Sequence, residues 1–368
     1  MKALSRYAQL FFITVYVLVA FGVIMTYSAS AIYAEHIYHY QEYFLVRQFL
    51  YAAIGTVLMF VTAATPVAFW KEHARSLMLL AIFLLIIVYL PVIGRSGGGA
   101  QRWIRLGFFN FQPAEFAKIA VCLYLADYLT RKMKVIRQGS LLIFLPPLIL
   151  IGIVCVLTLM QPDLGSTAFI FLLVALMFFL AGIQIKFVLS ALLVVAPVFY
   201  FLVARVPYRA SRVTAYLNPW DDPQGSGFQI IQSLLSFGTG GVHGQGLGQG
   251  IQKLFYLPSS HNDFIFSVIG EELGLVGLVS VLILYGVLFF CGIQMAKNAR
   301  QDYDRLITLS LTFMIVLQAI IHMLVTTGLI PTKGLPLPFV SFGGTSVVFS
   351  LMAVGLLLAV DRHVQGKG

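Results

Sequence analysis

The stretch YLPSSHNDFIFSVIGEELGLVGLVSVLILYGVLFFCGIQM, residues 256–295, joins a polar segment directly to an apolar run that covers residues 264–295. An apolar run of about 20 residues is long enough to cross a bilayer as a helix. Asp263, Glu271 and Glu272 lie at this junction and are three of only 14 acidic residues in the chain. A carboxylate at the boundary between water and lipid is costly to keep unless something uses it. The stretch therefore predicts a membrane helix whose polar end meets a substrate with a water-soluble head and a lipid tail.

The composition excludes a soluble globular protein. Of 368 residues, 60% are hydrophobic and 10% are charged, whereas soluble domains carry about 25% charged residues. Ten apolar runs have the length of a membrane span. We therefore predict an all-α polytopic membrane protein in which about ten transmembrane helices form a single integral-membrane domain over residues 1–368. The predicted spans are 10–30, 44–64, 76–94, 114–130, 141–160, 164–182, 187–205, 264–295, 306–327 and 343–360.

The distribution of basic residues orients these spans. An even number of spans places both termini on one side, and short loops rich in Lys and Arg favour the cytoplasm. The cluster RKMKVIR, residues 131–137, is the strongest such signal. We therefore expect cytoplasmic tails at about 1–9 and 361–368, and a large extracytoplasmic loop at about 206–261. The glycine-dense part of that loop, 238–250, buries little apolar surface by itself, so we expect it to be flexible or ordered only against the bundle or a ligand.

Nine basic residues then fall on the outer face, where the same rule expects few. One explanation is that a long loop tolerates charge. The other is an electropositive pocket for an anion at the membrane surface, because guanidinium groups pair well with phosphate oxygens. A lipid-linked pyrophosphate would suit such a pocket, whereas nucleic acid would not, because the basic residues are divided between two membrane faces. The outer basic residues with the most suggestive positions are Arg95, Arg102, Arg105, Arg209, Arg212 and Lys333.

Two further segments place polar side chains within or beside the spans. FQPAEFAKIAVCLYLADYL, residues 111–129, carries Glu115 and Lys118 three positions apart on one helix face. They form a structural ion pair, or Lys118 faces the substrate cavity. QPDLGST, residues 161–167, predicts a short outer turn in which Asp163 either caps the next helix or lines the cavity.

The segment TTGLIPTKGLPLPFVSFGGTS, residues 326–346, contains three prolines and four glycines beside a span. Irregular backbone at membrane depth must be covered by protein or must line a cavity. The segment therefore favours a re-entrant, cavity-forming loop over a plain connector. In such a loop, Lys333 would direct its ammonium group into the cavity.

Three long segments, 97–119, 217–277 and 328–346, resemble the signatures of the SEDS family of proteins (shape, elongation, division and sporulation) and occur in the same order. The resemblance extends from about residue 10 to residue 360. The segments PTKGLPLPFVSFGG and SHNDFIFSVIGEELG are more similar to the division and sporulation members than to the elongation member. The resemblance implies ten transmembrane helices, cytoplasmic termini and a peptidoglycan glycosyltransferase that polymerises lipid II, a disaccharide-pentapeptide carried on undecaprenyl pyrophosphate.

The family's motifs also imply roles for individual residues. Asp263, in the motif H-x-D-F-I-F, matches the family's essential acidic residue and is the predicted general base of glycosyl transfer at the outer leaflet. Cationic groups would then stabilise the leaving pyrophosphate, with Arg102 and Lys118 as the first candidates and Arg209, Arg212 and Lys333 as further ones. A divalent cation, Mg²⁺ or Mn²⁺, could bridge the pyrophosphate oxygens, although no cluster of ligands in the sequence requires one. The predicted substrate-binding residues are Arg102, Glu115, Lys118, Arg209, Arg212, His261 and Lys333.

The resemblance implies partners and leaves two other classes of function open. The implied partners are a class B penicillin-binding protein, whose transpeptidase cross-links the new glycan, and other divisome proteins in the cytoplasmic membrane of a bacterium. The alternatives are a lipid II flippase and a non-catalytic divisome scaffold. A flippase should need charges through the depth of the bundle, whereas the key residues here concentrate towards the outer face.

Overall fold

The computed structural model describes residues 4–90, 94–97, 100–107, 109–137, 141–183, 207–254, 257–332 and 334–366, together with the isolated residues 186, 193, 197 and 205. Most of the described chain is helical, and twelve described helices are numbered here in chain order. They are α1 (Arg6–Tyr38), α2 (Tyr43–Ala64), α3 (Val67–Glu72), α4 (Ala74–Ile87), α5 (Pro113–Arg137), α6 (Leu145–Met160), α7 (Leu164–Leu180), α8 (Pro207–Leu217), α9 (Phe228–Gly240), α10 (Ile265–Asn298), α11 (Asp302–Thr326) and α12 (Gly344–Gly366).

The described helices confirm the all-α polytopic membrane fold. Five of them, α1, α2, α10, α11 and α12, are long and apolar enough to cross a membrane, and α4, α6 and α7 are shorter apolar helices. With α5, these helices cover nine of the ten predicted spans. The remaining predicted span, 187–205, lies outside the described residues apart from three isolated positions.

Burial separates a central group of helices from a lipid-facing periphery. Helices α5, α11 and α12 are buried over most of their length, and α12 packs mainly against α2. Large apolar side chains stay exposed on the outer helices, such as Phe49 of α2, Phe83 of α4 and Ile283 of α10. Soluble monomers rarely expose contiguous apolar surface of this kind. The distribution is that of a bundle whose outer surface meets lipid.

Between the predicted spans 76–94 and 114–130, three described segments form a small antiparallel sheet. Its strands are β1 (Gly94–Gly97), β2 (Ala100–Leu106) and β3 (Phe109–Phe111), in the order β1-β2-β3. Successive side chains of a strand point to opposite faces. Arg102 therefore shares a face with the buried Ile104, whereas Arg105 lies on the other face and is exposed. Strand β2 therefore directs Arg102 towards the bundle and Arg105 towards solvent.

The glycine-dense segment is ordered against the N-terminal part of α10, which was one of the two alternatives expected from the sequence. Gly274 adopts φ +63°, a left-handed conformation that interrupts the helix. The backbone N–H of Leu275 then donates to the carbonyl of Gly241 at 2.9 Å, and that of Val276 donates to Val242 at 3.2 Å. The interruption thus provides the donors that hold the segment in place.

Glu271 and Glu272 fix the same segment with their side chains. The Glu272 carboxylate accepts hydrogen bonds from Lys253 Nζ at 2.6 Å and from the Ser28 hydroxyl at 2.6 Å. The Glu271 carboxylate accepts from the backbone N–H of Ile251 at 2.7 Å. Glu271, Glu272 and Lys253 are all buried. The two glutamates therefore join α10, α1 and the loop that precedes α10.

Candidate active site

Asp263 lies in a tight turn immediately before α10 and therefore outside the membrane-spanning helix. The backbone N–H groups of Asp263 and Phe264 both donate to the carbonyl of Ser259, at 3.1 Å and 3.4 Å. The Asp263 side chain is half-buried. Gly334 lies directly against it, because a Cβ atom added to that glycine would be 3.3 Å from Asp263 Oδ2. The carboxylate is thus placed between the start of a membrane helix and the segment that contains Gly334.

The surroundings of Asp263 raise its pKa to about 6 from an ordinary value of 3.8. Burial is the largest cause, since it disfavours the charged carboxylate. The guanidinium groups of Arg212 and Arg102 act in the opposite direction, and the negative charge of Asp163 raises the pKa further. A general base works best when its pKa lies near the operating pH. Asp263 meets that condition and is still mostly ionised at pH 7.

Arg102 of strand β2 is held against the turn between α6 and α7. Its Nε donates to the carbonyl of Gln161 at 3.2 Å, and one terminal nitrogen donates to the carbonyl of Pro162 at 2.5 Å. A guanidinium group has five N–H donors, and these two bonds use two of them. Arg102 is therefore fixed in position while its charge acts on Asp263.

Arg212 approaches the same carboxylate from α8. One of its terminal nitrogens donates to the carbonyl of Thr332 at 3.3 Å, which connects α8 to the segment beside Asp263. Arg209 lies three residues earlier in the same helix, but its side chain falls outside the described structure. Lys333 also lies outside the described residues. Of the four outer cations singled out for the substrate, Arg102 and Arg212 are the two that the described side chains bring to Asp263.

Asp163 both caps a helix and takes part in this site. Its carboxylate accepts from the backbone N–H of Ser166 at 3.0 Å, which caps α7, and from Gln112 Nε2 at 3.2 Å. Its charge also contributes to the raised pKa of Asp263. The helix cap was one of the two alternatives expected for Asp163 from the sequence, and the structure shows it.

Glu115 and Lys118 lie deeper, in the buried face of α5. Lys118 Nζ is 2.8 Å from Glu115 Oε1 and donates to Gln318 Oε1 at 2.7 Å. It also lies 5.2 Å from the centre of the Phe169 ring. Lys118 is 2% exposed. The partners that the structure gives to this ammonium group are therefore protein side chains.

His261 packs into an aromatic cluster at the top of α1 and α2. The centre of its ring is 4.4 Å from that of Phe44 and 5.8 Å from those of Tyr33 and Phe342. Burial lowers the pKa of His261 to about 4, so its imidazole is neutral at pH 7. Its carbonyl accepts from the backbone N–H of Phe342 at 2.9 Å. His261 thus fixes the turn of Asp263 against the segment that precedes α12.

Residues 334–343, named here the re-entrant loop, enter the core of the bundle as the sequence predicted. Leu335, Leu337 and Phe339 are at most 2% exposed although this backbone is not helical. The Ser341 hydroxyl donates to the carbonyl of Asn262 at 2.7 Å, and so connects the loop to the residue before Asp263. The loop is covered by protein, as irregular backbone at this depth requires.

The described residues also bear on whether the site could hold a metal ion. Among them, no three His, Cys, Asp or Glu side chains lie close enough together to hold one. Asp163 and Asp263 are the carboxylates that share the site. Mg²⁺ is commonly bound by one or two carboxylates together with substrate phosphates and water. A cation at this site would therefore depend on the pyrophosphate oxygens of the substrate for much of its coordination.

Comparisons with known proteins find relatives over nearly the whole chain. The family described as "Cell cycle protein" (FtsW/RodA/SpoVE) matches residues 8–366. The chain is 43% identical over 365 residues to the "Probable peptidoglycan glycosyltransferase FtsW" of Geobacter sulfurreducens (strain DL-1 / KN400), covering 99% of this chain and 98% of that protein. It is 42% identical over 349 residues to the "Stage V sporulation protein E" of Bacillus subtilis (strain 168), covering 94% of both chains.

Solved structures share the fold over nearly the whole chain. One, described as "Structural coordination of polymerization and crosslinking by a peptidoglycan synthase complex", is similar with a TM-score of 0.80 and 30% identity, over 96% of this chain and 97% of that chain. The rod shape determining protein RodA of Thermus thermophilus is similar with a TM-score of 0.71 and 27% identity, over 96% and 95%. The resemblance expected from the sequence motifs is confirmed, and this multi-pass membrane protein belongs to the FtsW/RodA/SpoVE family.

Proposed function

We propose that this protein is a peptidoglycan glycosyltransferase that polymerises lipid II at the outer face of the cytoplasmic membrane during cell division. The observation that carries the proposal is the half-buried carboxylate of Asp263, whose pKa is raised to about 6 while the charges of Arg102 and Arg212 act on it. This arrangement combines a proton acceptor with cations for a leaving phosphate. The names of the relatives support the same activity.

The proposed reaction is a direct displacement. The 4-hydroxyl of the GlcNAc of incoming lipid II attacks the anomeric carbon of the MurNAc at the end of the growing chain. The bond from that carbon to the undecaprenyl pyrophosphate breaks, and the pyrophosphate leaves with the electron pair. Asp263 accepts the hydroxyl proton. The Asp163 carboxylate is engaged by Ser166 and Gln112 and is not assigned as a nucleophile. Asp263 as a base without a second carboxylate as nucleophile fits inversion at the anomeric carbon, which turns an α-linked donor into a β-linked glycan.

The catalytic contributions divide between the base and the cations. General-base assistance is worth about 10²–10⁴-fold in rate. Negative charge develops on the pyrophosphate as it leaves, and fixed cations stabilise that charge without reorganising. Arg102 and Arg212 are the primary candidates for this role, and Arg209 and Lys333 are further candidates.

The buried residues assigned to the substrate act less directly in this proposal. Glu115 and Lys118 support the re-entrant loop through Gln318, whose Nε2 donates to the carbonyl of Pro336 at 2.9 Å. His261 supports the turn that carries Asp263. These three residues would therefore shape the pocket in which the disaccharide and pyrophosphate lie.

The proposed orientation places both termini in the cytoplasm. Ser5 at the start of α1 donates its backbone N–H and its hydroxyl to the Asp361 carboxylate near the end of α12, at 2.8 Å and 2.6 Å. The two ends of the chain thus meet at one end of the bundle, away from Asp263. The basic cluster 131–137, at the end of α5, favours the cytoplasm for that end.

A class B penicillin-binding protein is the proposed partner. The similar solved structure is described as a peptidoglycan synthase complex that coordinates polymerisation and crosslinking. Helix α10 offers a long lipid-facing surface that includes Leu275, Leu282 and Ile283. A transmembrane helix of the partner could pack there, with α11 and the outer loop as further contacts.

The decisive experiment is polymerisation of labelled lipid II by the purified protein, with and without a cognate transpeptidase. Wild type is compared with Asp263→Asn, a nearly isosteric change that removes the base. Glycan ladders from the wild type alone are the expected result. No ladder from either protein, with the fold and the partner verified, would favour the flippase or the scaffold. Equal ladders from both proteins would retain the enzyme and remove Asp263 as its base.

A further inference from the structure

We propose that Gln318 and His322 of α11 are positioning residues for Asp263, and that they act through the backbone of the re-entrant loop. This inference rests on the proposed glycosyltransferase activity. The two side chains are one helical turn apart, so they lie on the same face of α11. Both are buried, with 3% and 2% of their surface exposed. The motifs of the sequence analysis included neither residue.

Gln318 connects a buried charge to the loop. Its Oε1 accepts from Lys118 Nζ at 2.7 Å, while its Nε2 donates to the carbonyl of Pro336 at 2.9 Å. Because Lys118 can only donate, it fixes which end of the amide is the oxygen. The amide nitrogen must then face the loop. The ion pair of Lys118 with Glu115 therefore determines how Gln318 holds Pro336.

His322 holds the adjacent residue of the loop. Its Nδ1 is 2.8 Å from the carbonyl oxygen of Leu335. A carbonyl only accepts, so Nδ1 must carry the proton. In the described structure, Nε2 of the same ring is buried without a hydrogen-bond partner. The contact with Leu335 is thus the polar contact that the structure assigns to this histidine.

The two contacts fix the backbone immediately after Gly334. Gly334 has no side chain and lies against the Asp263 carboxylate, with an added Cβ only 3.3 Å from Oδ2. The loop is also bound from the other side, since Tyr285 donates to the carbonyl of Pro338. The carbonyls of Leu335 and Pro336 therefore set the distance between Gly334 and Asp263. That distance determines both the space left for the acceptor hydroxyl and the access of water to the carboxylate.

The inference predicts a specific kinetic change. A small misplacement of a catalytic group costs up to about 100-fold in rate. Loss of the loop contact should therefore lower kcat by about 10–100-fold with little change in KM for lipid II. It should also admit water to Asp263, which weakens the desolvation that raises its pKa. The pH midpoint of the reaction should then move below the wild-type value of about 6.

The test compares isosteric substitutions of His322. In His322→Asn the side-chain amide nitrogen occupies the place of Nδ1 and can still donate to Leu335. In His322→Gln the amide reaches the place of Nε2 instead and cannot make that bond. Thr312→Val is the matched control, because Thr312 is buried on the same helix and its hydroxyl has no hydrogen-bond partner in the described structure. All variants are purified as monodisperse protein and assayed with labelled lipid II from pH 5 to pH 8.

We expect His322→Asn and Thr312→Val to polymerise lipid II with the kcat and pH midpoint of the wild type. His322→Gln should have a lower kcat and a pH midpoint below the wild-type value. Equal kcat and midpoint in both His322 variants and the wild type would overturn the positioning role. If a His322 variant is not monodisperse, Gln318→Glu provides the same test, because it keeps an acceptor for Lys118 and loses the donor to Pro336. A wild type that makes no glycan would overturn the proposed function, and this inference with it.

Discussion

The raised pKa of Asp263 gives a quantitative prediction for the pH dependence of polymerisation. A general base must be ionised, and the pKa of this carboxylate is about 6. About 90% of the enzyme should therefore be active at pH 7 and about 10% at pH 5. The rate at limiting lipid II should fall about tenfold between these values. An aspartate with the ordinary pKa of 3.8 would stay more than about nine-tenths ionised at pH 5, with almost no loss of rate.

Substitutions of the neighbouring charges should move this midpoint in opposite directions. Asp163→Asn removes a negative charge, which should lower the midpoint, while the Asn side-chain oxygen can still cap α7. Arg212→Gln removes a positive charge that lowers the pKa of Asp263, so the midpoint should rise. Asp222→Asn is the control, because Asp222 is an exposed carboxylate of the outer loop that binds Ser226. It should leave the midpoint unchanged.

The assay is the initial rate of glycan formation from labelled lipid II in proteoliposomes between pH 4.5 and pH 8. Lipid II binding and the melting temperature are measured over the same range, which separates the titration of the base from loss of substrate or of fold. A rate that is flat between pH 5 and pH 7 would refute the argument that burial raises the pKa of Asp263. A pH midpoint that moves in the same direction for Asp163→Asn and Arg212→Gln would refute the argument that these neighbouring charges shift the pKa of Asp263.

Three further substitutions test how the outer face is assembled. Gly274→Ala should lower the melting temperature strongly, because the residue adopts φ +63° and an added Cβ would lie 2.4 Å from the backbone nitrogen of Gly244. Gly286→Ala is the control in the same helix, since its Cβ would meet nothing within 4 Å and the change should be neutral. Glu272→Gln should destabilise the fold by about 3–5 kcal/mol, since it leaves the buried Lys253 ammonium without its counter-charge, and limited proteolysis should then cut the outer loop. Adding Lys253→Met should restore part of the stability. The pairing is wrong if the double variant loses as much stability as the two single variants lose together. Gly334→Ala should lower kcat while the melting temperature stays near the wild-type value, because the methyl group enters the space beside the reacting carboxylate; equal activity of Gly334→Ala and Gly286→Ala would contradict that placement.

Local patterns in the sequence predicted the architecture and drew attention to Asp263. Membrane spans are visible because each is a continuous apolar run, and nine of the ten predicted runs coincide with described helices. The re-entrant loop was visible because Pro336, Pro338 and the nearby glycines cannot continue a helix. Asp263 stood out because it follows a polar segment and precedes an apolar one. Each of these signals resides within about 30 neighbouring residues.

The features that the sequence did not reveal depend on contacts between distant residues. The strand Ala100–Leu106 is short and lies among glycines, so its alternation gave no clear strand signal. Gln318 looked like one polar residue in an apolar helix, and its role depends on Lys118, which lies 200 positions earlier. The sequence left two roles open for Asp163, a helix cap and a place in the cavity. Only the fold shows that the helix it caps and Asp263 share one end of the bundle.

The hydrogen bonds between Ser5 and Asp361 have a consequence for how the protein is made. Ser5 also caps α1, since its hydroxyl accepts from the backbone N–H of Ala8 at 3.1 Å. The residue that starts the first helix is therefore bound by the last helix, 356 positions later. During synthesis α1 enters the membrane long before Asp361 exists, so its N-terminal end stays without this partner until the ribosome has finished α12. Ribosome-bound chains that end before Asp361 should hold an incompletely closed bundle, and closure becomes a marker that α12 has been inserted.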